Sequence, residues 1–426
     1  MRAAALAVLA AAFGLVGCGS DDSGIPTLTW FINPDNGGQA ALAQRCGQES
    51  DGEYRIETSL LPNDATGQRE QLVRRLAADD SSVDLMSLDP PFVAEFAEAD
   101  FLRPFTDDEA RPLTEGVLDG PVASARWDGE LVAAPFWANS QLLWYRKSVA
   151  DEAGIDPEEG PPLTWSDIIG AAEETGTTVE VQARRYEGYM VWINALVASA
   201  GGDILENPEA GKDVQPAIDS PAGREAAGVV DALASSQAAN PSLSTTDEEA
   251  ARNAFQGADG GFMVNWPYVY GAAADAVAAG SLDEGVFSDI GWARYPRVDA
   301  DEESRPPLGG IHLGIGAFTD HPDLAVNAVR CITSERSQTE YMIGAKNPAA
   351  RSAVYDDPEV RRIFPMADLI RDSIDESGPR PTTPYYVDVS SAVVRAFHPP
   401  SDVAPRRTPG AAADLIVDVL HDRVLL

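Results

Sequence analysis

Apolar and polar positions alternate from Thr27 to Ile32 as in a strand with one buried face, whereas Gly67 to Ala78 (GQREQLVRRLAA) places its apolar residues at helical spacing. Val83 to Leu88 is a short apolar run. Asp89-Pro90-Pro91 interrupts it and FVAEFAEA resumes with helical spacing, a strand, turn and helix in which Asp89 is well placed to cap. Trp127-Asp128-Gly129-Glu130 reads as a tight hairpin. A strand over Leu131 to Phe136 follows, then Trp137-Ala138-Asn139-Ser140 and LLWYRK.

The same reading predicts a helix from Ser148 to Ala153 stopped by Gly154, a loop over Pro157 to Pro162, and a helix opened by Thr164, with Asp167 at capping-box spacing. Further helices are predicted over Val191 to Ala200, closed by Gly201-Gly202, and over Ser220 to Ser235 and Thr246 to Phe255. The run GGFMVNWP, Gly260 to Pro267, is a strand ending in a tryptophan with a proline to stop it. A charged connector over Val298 to Pro307 leads to a strand from Gly309 to Phe318, a helix from Leu324 to Ser334, an irregular stretch over Asn347 to Arg351, and more helices. Short strands alternating with helices predict α/β layers. A chain of 426 residues is too long for one compact core, so two lobes are expected.

Composition narrows the partners. The net charge is −37, so phosphates of nucleic acid would be repelled, and docking of the body onto anionic lipid is disfavoured. At the N-terminus, Arg2 precedes the apolar stretch Ala3 to Val16, too short for a spanning helix and suited to a signal peptide over 1–17. Leu15-Val16-Gly17-Cys18 has the lipobox pattern of bacterial lipoproteins. It predicts a lipidated Cys18 and a polar tether over 18–25; the plainer alternative is a buried cysteine in an ordinary helix. Two cysteines remain, Cys46 and Cys331. In an oxidising compartment an even remainder points to one disulfide, worth roughly 5 kcal/mol at most by chain entropy, with two separate buried thiols as the alternative.

Catalytic and cofactor signatures are missing. There is no phosphate-binding P-loop, no G-x-S-x-G elbow and no H-E-x-x-H helix, and His312, His321, His398 and His421 lack ligand spacing. The expectation is a protein that is not an enzyme, with no metal and no cofactor. What stands out instead are polar residues at element ends beside aromatics: Asp89, Asn139, Glu248, Trp266, and Arg380 within GPRPTTPYY. In open α/β sheets ligands sit beyond the carboxyl ends of strands. Planar and charged side chains there can bond sugar hydroxyls while an aromatic face covers the ring. Each residue also has a plain structural reading. Asp89 can be an N-cap, Glu248 the third position of a capping box with Thr245, Asn139 a turn residue, Arg380 a surface charge and Trp266 core.

The order of elements, with the stretches WDGELVAAPFWANSQLLWYRK, TWSDI and AFQGADGGFMVNWP, resembles the extracellular solute-binding lipoproteins of ABC importers, in the sugar-binding branch that includes maltose-binding proteins. The likeness runs from about Thr27 to the C-terminus. Within that branch NSQLLWYRK, VWINALVASAGG, VNWPYVY, AVRC and RPTTPYY are most similar to the trehalose-binding lipoproteins of actinobacterial importers, whose disulfide falls on Cys46 and Cys331. The resemblance implies a two-lobed periplasmic-binding-protein-like α/β fold with a central cleft and three hinge crossings. Lobe one would be 26–138 and 308–346, lobe two 142–302 and 352–426. It further implies a monomer, lipid-anchored outside the membrane, that captures a disaccharide, trehalose on this reading, and passes it to ABC permease subunits. The implied binding residues are Asp89, Asn139, Glu248, Trp266, Arg380, Gly309 and Gly310. FINPDNGG departs from the family pattern and only brackets an N-terminal contact at Asn33 and Asn36. The rival from another class is an exported glycoside hydrolase with Asp89 and Glu248 as its carboxylate pair.

Overall fold

The structure, a computed structural model, describes residues 24–425 other than Glu159. The signal peptide at 1–17, Cys18 and the tether as far as residue 23 lie outside the described residues. Among the described residues the strands are β1 (Thr27–Ile32), β2 (Arg55–Leu60), β3 (Leu85–Leu88), β4 (Arg126–Trp127), β5 (Glu130–Leu131), β6 (Ala133–Ser140) and β7 (Leu142–Arg146). They continue as β8 (Thr178–Glu180), β9 (Leu205–Glu206), β10 (Gln215–Pro216), β11 (Gly260–Asn265), β12 (Ile290–Ala293) and β13 (Leu308–Ile315).

Two main sheets result. One has the order β2-β1-β3-β13-β6 and the other β12-β7-β11-β8. Every residue of β3, β6, β7 except Arg146, and β11 is buried, as expected for strands covered on both faces. Pro135 cannot donate to a ladder, and β6 tolerates it as the outermost strand of its sheet, where its pairing with β13 shifts register between Ile311 and His312. The chain leaves the first sheet at Ser140 and enters the second at Leu142, with Gln141 alone between them. It returns to the first sheet along residues 294–307.

Several local predictions are met. Asp128 and Gly129 both take positive φ, 47° and 81°, and form the hairpin turn between β4 and β5. Thr164 and Asp167 form a reciprocal capping box. Gly154 ends the helix Lys147–Ala153 in the left-handed conformation. Cys46, on the helix Gly38–Glu49, and Cys331, on the helix Pro322–Ile332, are joined as a disulfide with Cα atoms 5.9 Å apart.

The register decides where the cleft lies. β1 and β3 run parallel, so their carboxyl ends share one edge of the first sheet. β13 is antiparallel to β3 and brings its amino end, Leu308 and Gly309, to that edge. β6 is antiparallel to β13 and ends there as well, with Asn139 opposite Gly309. In the second sheet Asn265, the last residue of β11, pairs with Leu142, the first residue of β7. Both sheets therefore turn these strand ends toward the crossing at Gln141. A cavity of about 170 Å³ opens between the lobes, with Thr66 and Phe92 on one side and Tyr186 and Glu187 on the other.

Candidate functional site

Asp89 follows β3 directly. It precedes a short 3₁₀ turn over Pro90–Phe92, but its side chain makes no capping bond, which overturns the N-cap reading. Its carboxylate instead accepts from Arg380 Nη2 at 2.5 Å. Arg380 is no surface charge either: its side chain is 4 % exposed. Nη1 of the same guanidinium donates to Glu187 at 2.8 Å. Burial disfavours the Arg380 charge, yet the facing carboxylates, Asp89 foremost, more than offset this and hold its pKa above the ordinary value. Burial pushes the Asp89 carboxyl up, opposed by the Arg380 charge.

Asn139 lies within β6 rather than in a turn, and it is buried. Its Oδ1 lies against Gly309, where a Cβ would collide with it. The same imagined Cβ would stand 2.9 Å from Cζ3 and Cη2 of Trp266, so the indole reaches across from the end of β11 onto the start of β13. Glycine at 309 is what allows that approach. Gly310 has φ 134°, and a Cβ there would meet the Ala138 Cα at 2.8 Å.

Trp266 is half-buried, not core. Its backbone is firmly held: Asn265 Oδ1 accepts from the Trp266 N–H at 2.8 Å, and the Asn265 carbonyl accepts from the indole of Trp144 at 2.9 Å. Pro267 then serves as the N-cap position of the helix Tyr268–Ala278, so the chain leaves the strand end at once. Asn265 Nδ2 donates to the Glu248 carbonyl at 3.0 Å, linking the tryptophan's platform to the next predicted residue.

Glu248 is the first residue of the helix Glu248–Phe255. That helix is capped by Asp247, which accepts from the Ala250 N–H at 3.0 Å, so the capping box with Thr245 is overturned. The Glu248 carboxylate accepts from the Tyr186 hydroxyl at 2.7 Å. Burial pushes its carboxyl up, and the Tyr186 hydrogen bond opposes this. The Arg184 guanidinium lies 4.3 Å over the Tyr186 ring and bonds Asp247 at 2.7 Å.

The predicted residues thus form two groups, Asp89 with Arg380, and Asn139 with Gly309, Trp266 and Glu248. The neighbours Tyr186 and Glu187 belong to one group each and line the same cavity. Asn33 follows β1 at the same sheet edge as Asp89, whereas Asn36 is exposed. Asn33 Oδ1, Asn139 Oδ1 and Arg380 Nε are all buried without a hydrogen-bond partner. Sequence reasoning missed Glu187 and Tyr186 because the helix predicted from Val191 begins four residues earlier, at Glu187, with no capping side chain to mark it.

The sequence profile of bacterial extracellular solute-binding proteins matches residues 52–339. The chain belongs to that family. This solute-binding protein is 27% identical over 298 residues to a probable ABC transporter-binding protein of Deinococcus radiodurans, covering 67% of each chain. Over 98 residues, 22% of each chain, it is 29% identical to the sn-glycerol-3-phosphate-binding periplasmic protein UgpB of Agrobacterium fabrum. Its fold is similar to that of the maltose-bound MalE3 of T. maritima, with a TM-score of 0.78 and 25% identity over 93% of this chain and 100% of that one. The GacH receptor of Streptomyces glaucescens shares the fold at a TM-score of 0.75 and 20% identity, over 93% of this chain and 99% of that one. A two-lobed α/β fold is what this family membership leads one to expect. Among the described residues no helix is long and apolar enough to cross a membrane.

Proposed function

We propose that this solute-binding protein captures a disaccharide, trehalose, between its lobes and delivers it to the permease of an ABC importer. One observation carries the reading. Asn33 Oδ1 and Asn139 Oδ1 are buried acceptors, Arg380 Nε is a buried donor, and all three lack partners. A buried polar atom left unsatisfied costs about 1–3 kcal/mol, so these atoms call for a ligand that both donates and accepts. Sugar hydroxyls do both. Trp266 supplies an aromatic surface for the apolar face of a ring, and Glu248 a carboxylate for a hydroxyl. The binding set is then Asp89, Asn139, Glu248, Trp266, Gly309, Gly310 and Arg380, with Asn33 as the N-terminal contact; Asn36, exposed, is the weaker of the bracketed pair.

Ligand contacts to both lobes would favour the closed arrangement by differential affinity. The lobes are assigned as 26–138 with 308–346 and 142–302 with 352–426, joined by three crossings. Lipidated Cys18 would tether the monomer outside the membrane. A hydrolase using Asp89 and Glu248 would need one carboxyl to protonate a leaving group and the other to act on the opposite face of the sugar; here Asp89 is engaged by Arg380 and Glu248 by Tyr186. Incubation with trehalose and with maltose separates the two. Binding predicts a raised melting temperature on trehalose without glucose release; release of glucose would overturn it.

A further inference from the structure

Resting on the site just proposed, we infer that Glu187 is a positioning residue: it grips Arg380 from within its own lobe and sets the guanidinium that faces Asp89 and the sugar. Glu187 opens the helix Glu187–Ser199. One of its oxygens accepts from Arg380 Nη1 at 2.8 Å and from the Tyr386 hydroxyl. The other accepts from Ser390 Oγ at 2.7 Å. Tyr386 and Ser390 stand four apart on the helix Tyr386–Phe397, so one helix face presents two hydroxyls to the carboxylate.

The backbone of Arg380 is held independently. Gly378 N–H donates to Pro306 at 2.8 Å, and Asn194 Nδ2 donates to the Pro379 carbonyl at 3.2 Å. Prolines at 379 and 381 restrict the chain on either side. With its backbone fixed and Nη1 occupied, the guanidinium has its Nη2 on Asp89, and its Nε remains buried and unpaired. A planar fork held at one corner aims its remaining donors, which an arginine without Glu187 would not do.

Two measurements test this. The first needs no sugar: the arginine Nε–H region of the ¹⁵N spectrum of the ligand-free protein, with the Arg380 signal identified by its loss in Arg380→Lys. In Glu187→Gln that signal should shift or broaden, while Glu95→Gln, whose carboxylate pairs with Arg69, should leave it in place. An unmoved Arg380 signal in a folded Glu187→Gln protein overturns the inference. The second is trehalose titration. Glu187→Gln should bind about tenfold more weakly than the parent, yet by less than about twofold in an Arg380→Ala background, because it acts through the arginine. Equal losses in both backgrounds overturn that route. Should Glu187→Gln fail to fold, Tyr386→Phe and Ser390→Ala loosen the same carboxylate and should each move the Arg380 signal; if neither does, the inference fails. A moved signal in a protein whose parent binds no sugar would leave the positioning intact and refute the sugar reading instead.

Discussion

Replacing Arg380 by leucine removes a cation that two carboxylates share. Asp89 and Glu187 side chains are 19 % and 14 % exposed, so neither can recover full hydration when the guanidinium is gone. Breaking a buried ion pair from one side costs about 3–5 kcal/mol, because a charge is left behind. Glu187 keeps its bonds from Tyr386 and Ser390, which places the expected loss near the lower end, at about 3 kcal/mol. Adding Asp89→Asn should return about 1–2 kcal/mol by neutralising the stranded carboxylate. Arg380→Lys should fall between, since an ammonium is a point charge and cannot span both partners as a fork does. Equilibrium unfolding in urea without ligand reads all three. If Arg380→Leu lies within about 0.5 kcal/mol of the parent, or if Asp89→Asn makes it worse, the buried ion-pair reasoning is wrong.

Gly309→Ala puts a methyl against the Trp266 ring and should weaken sugar binding by about tenfold. Gly310→Ala, at φ 134°, should cost more in melting temperature than Gly309→Ala; the reverse order would contradict the assigned geometry. His312 is buried with Ser124 Oγ 2.9 Å from Nε2, and burial holds its pKa down to about 3 from 6.5. The unfolded chain therefore takes up this proton first as pH falls below 6.5. Stability should decline from there toward pH 3 by up to about 1.4 kcal/mol per pH unit, and an equally steep decline in a His312→Gln variant would show that the histidine is not responsible. Cys18→Ala should move the protein from the membrane fraction into the medium or leave it unprocessed; unchanged membrane retention would remove the lipid anchor from the proposal.

Sequence legibility followed locality. The hairpin at Asp128-Gly129, the Thr164 capping box and the stop at Gly154 depend on neighbouring residues, and all are found. The end of β11 at Asn265-Trp266 was legible too, because the following proline starts a helix. Asp89 and Glu248 each sit at a helix start, where carboxylates usually cap, and the capping reading fails at both. Asp247, one residue earlier, caps the second helix and leaves the Glu248 carboxylate for Tyr186. Glu187 was invisible because nothing local announces its helix. Its partners arrive from 193, 199 and 203 residues away, through packing that no pattern of apolar positions encodes. Arg380 stood out within its irregular proline-rich segment, but its alternative as a surface charge stayed open, since nothing local shows that its side chain turns inward.

Calorimetric titration of the parent and of Trp266→Ala with trehalose, maltose and a monosaccharide bears on sugar capture at the lobe junction. The proposed site predicts one ligand per chain for trehalose, no heat of turnover, and an affinity lowered about tenfold or more in Trp266→Ala with its fold intact. Equal affinity in both proteins would contradict the site, and no binding of any of the three by the parent would contradict disaccharide capture itself.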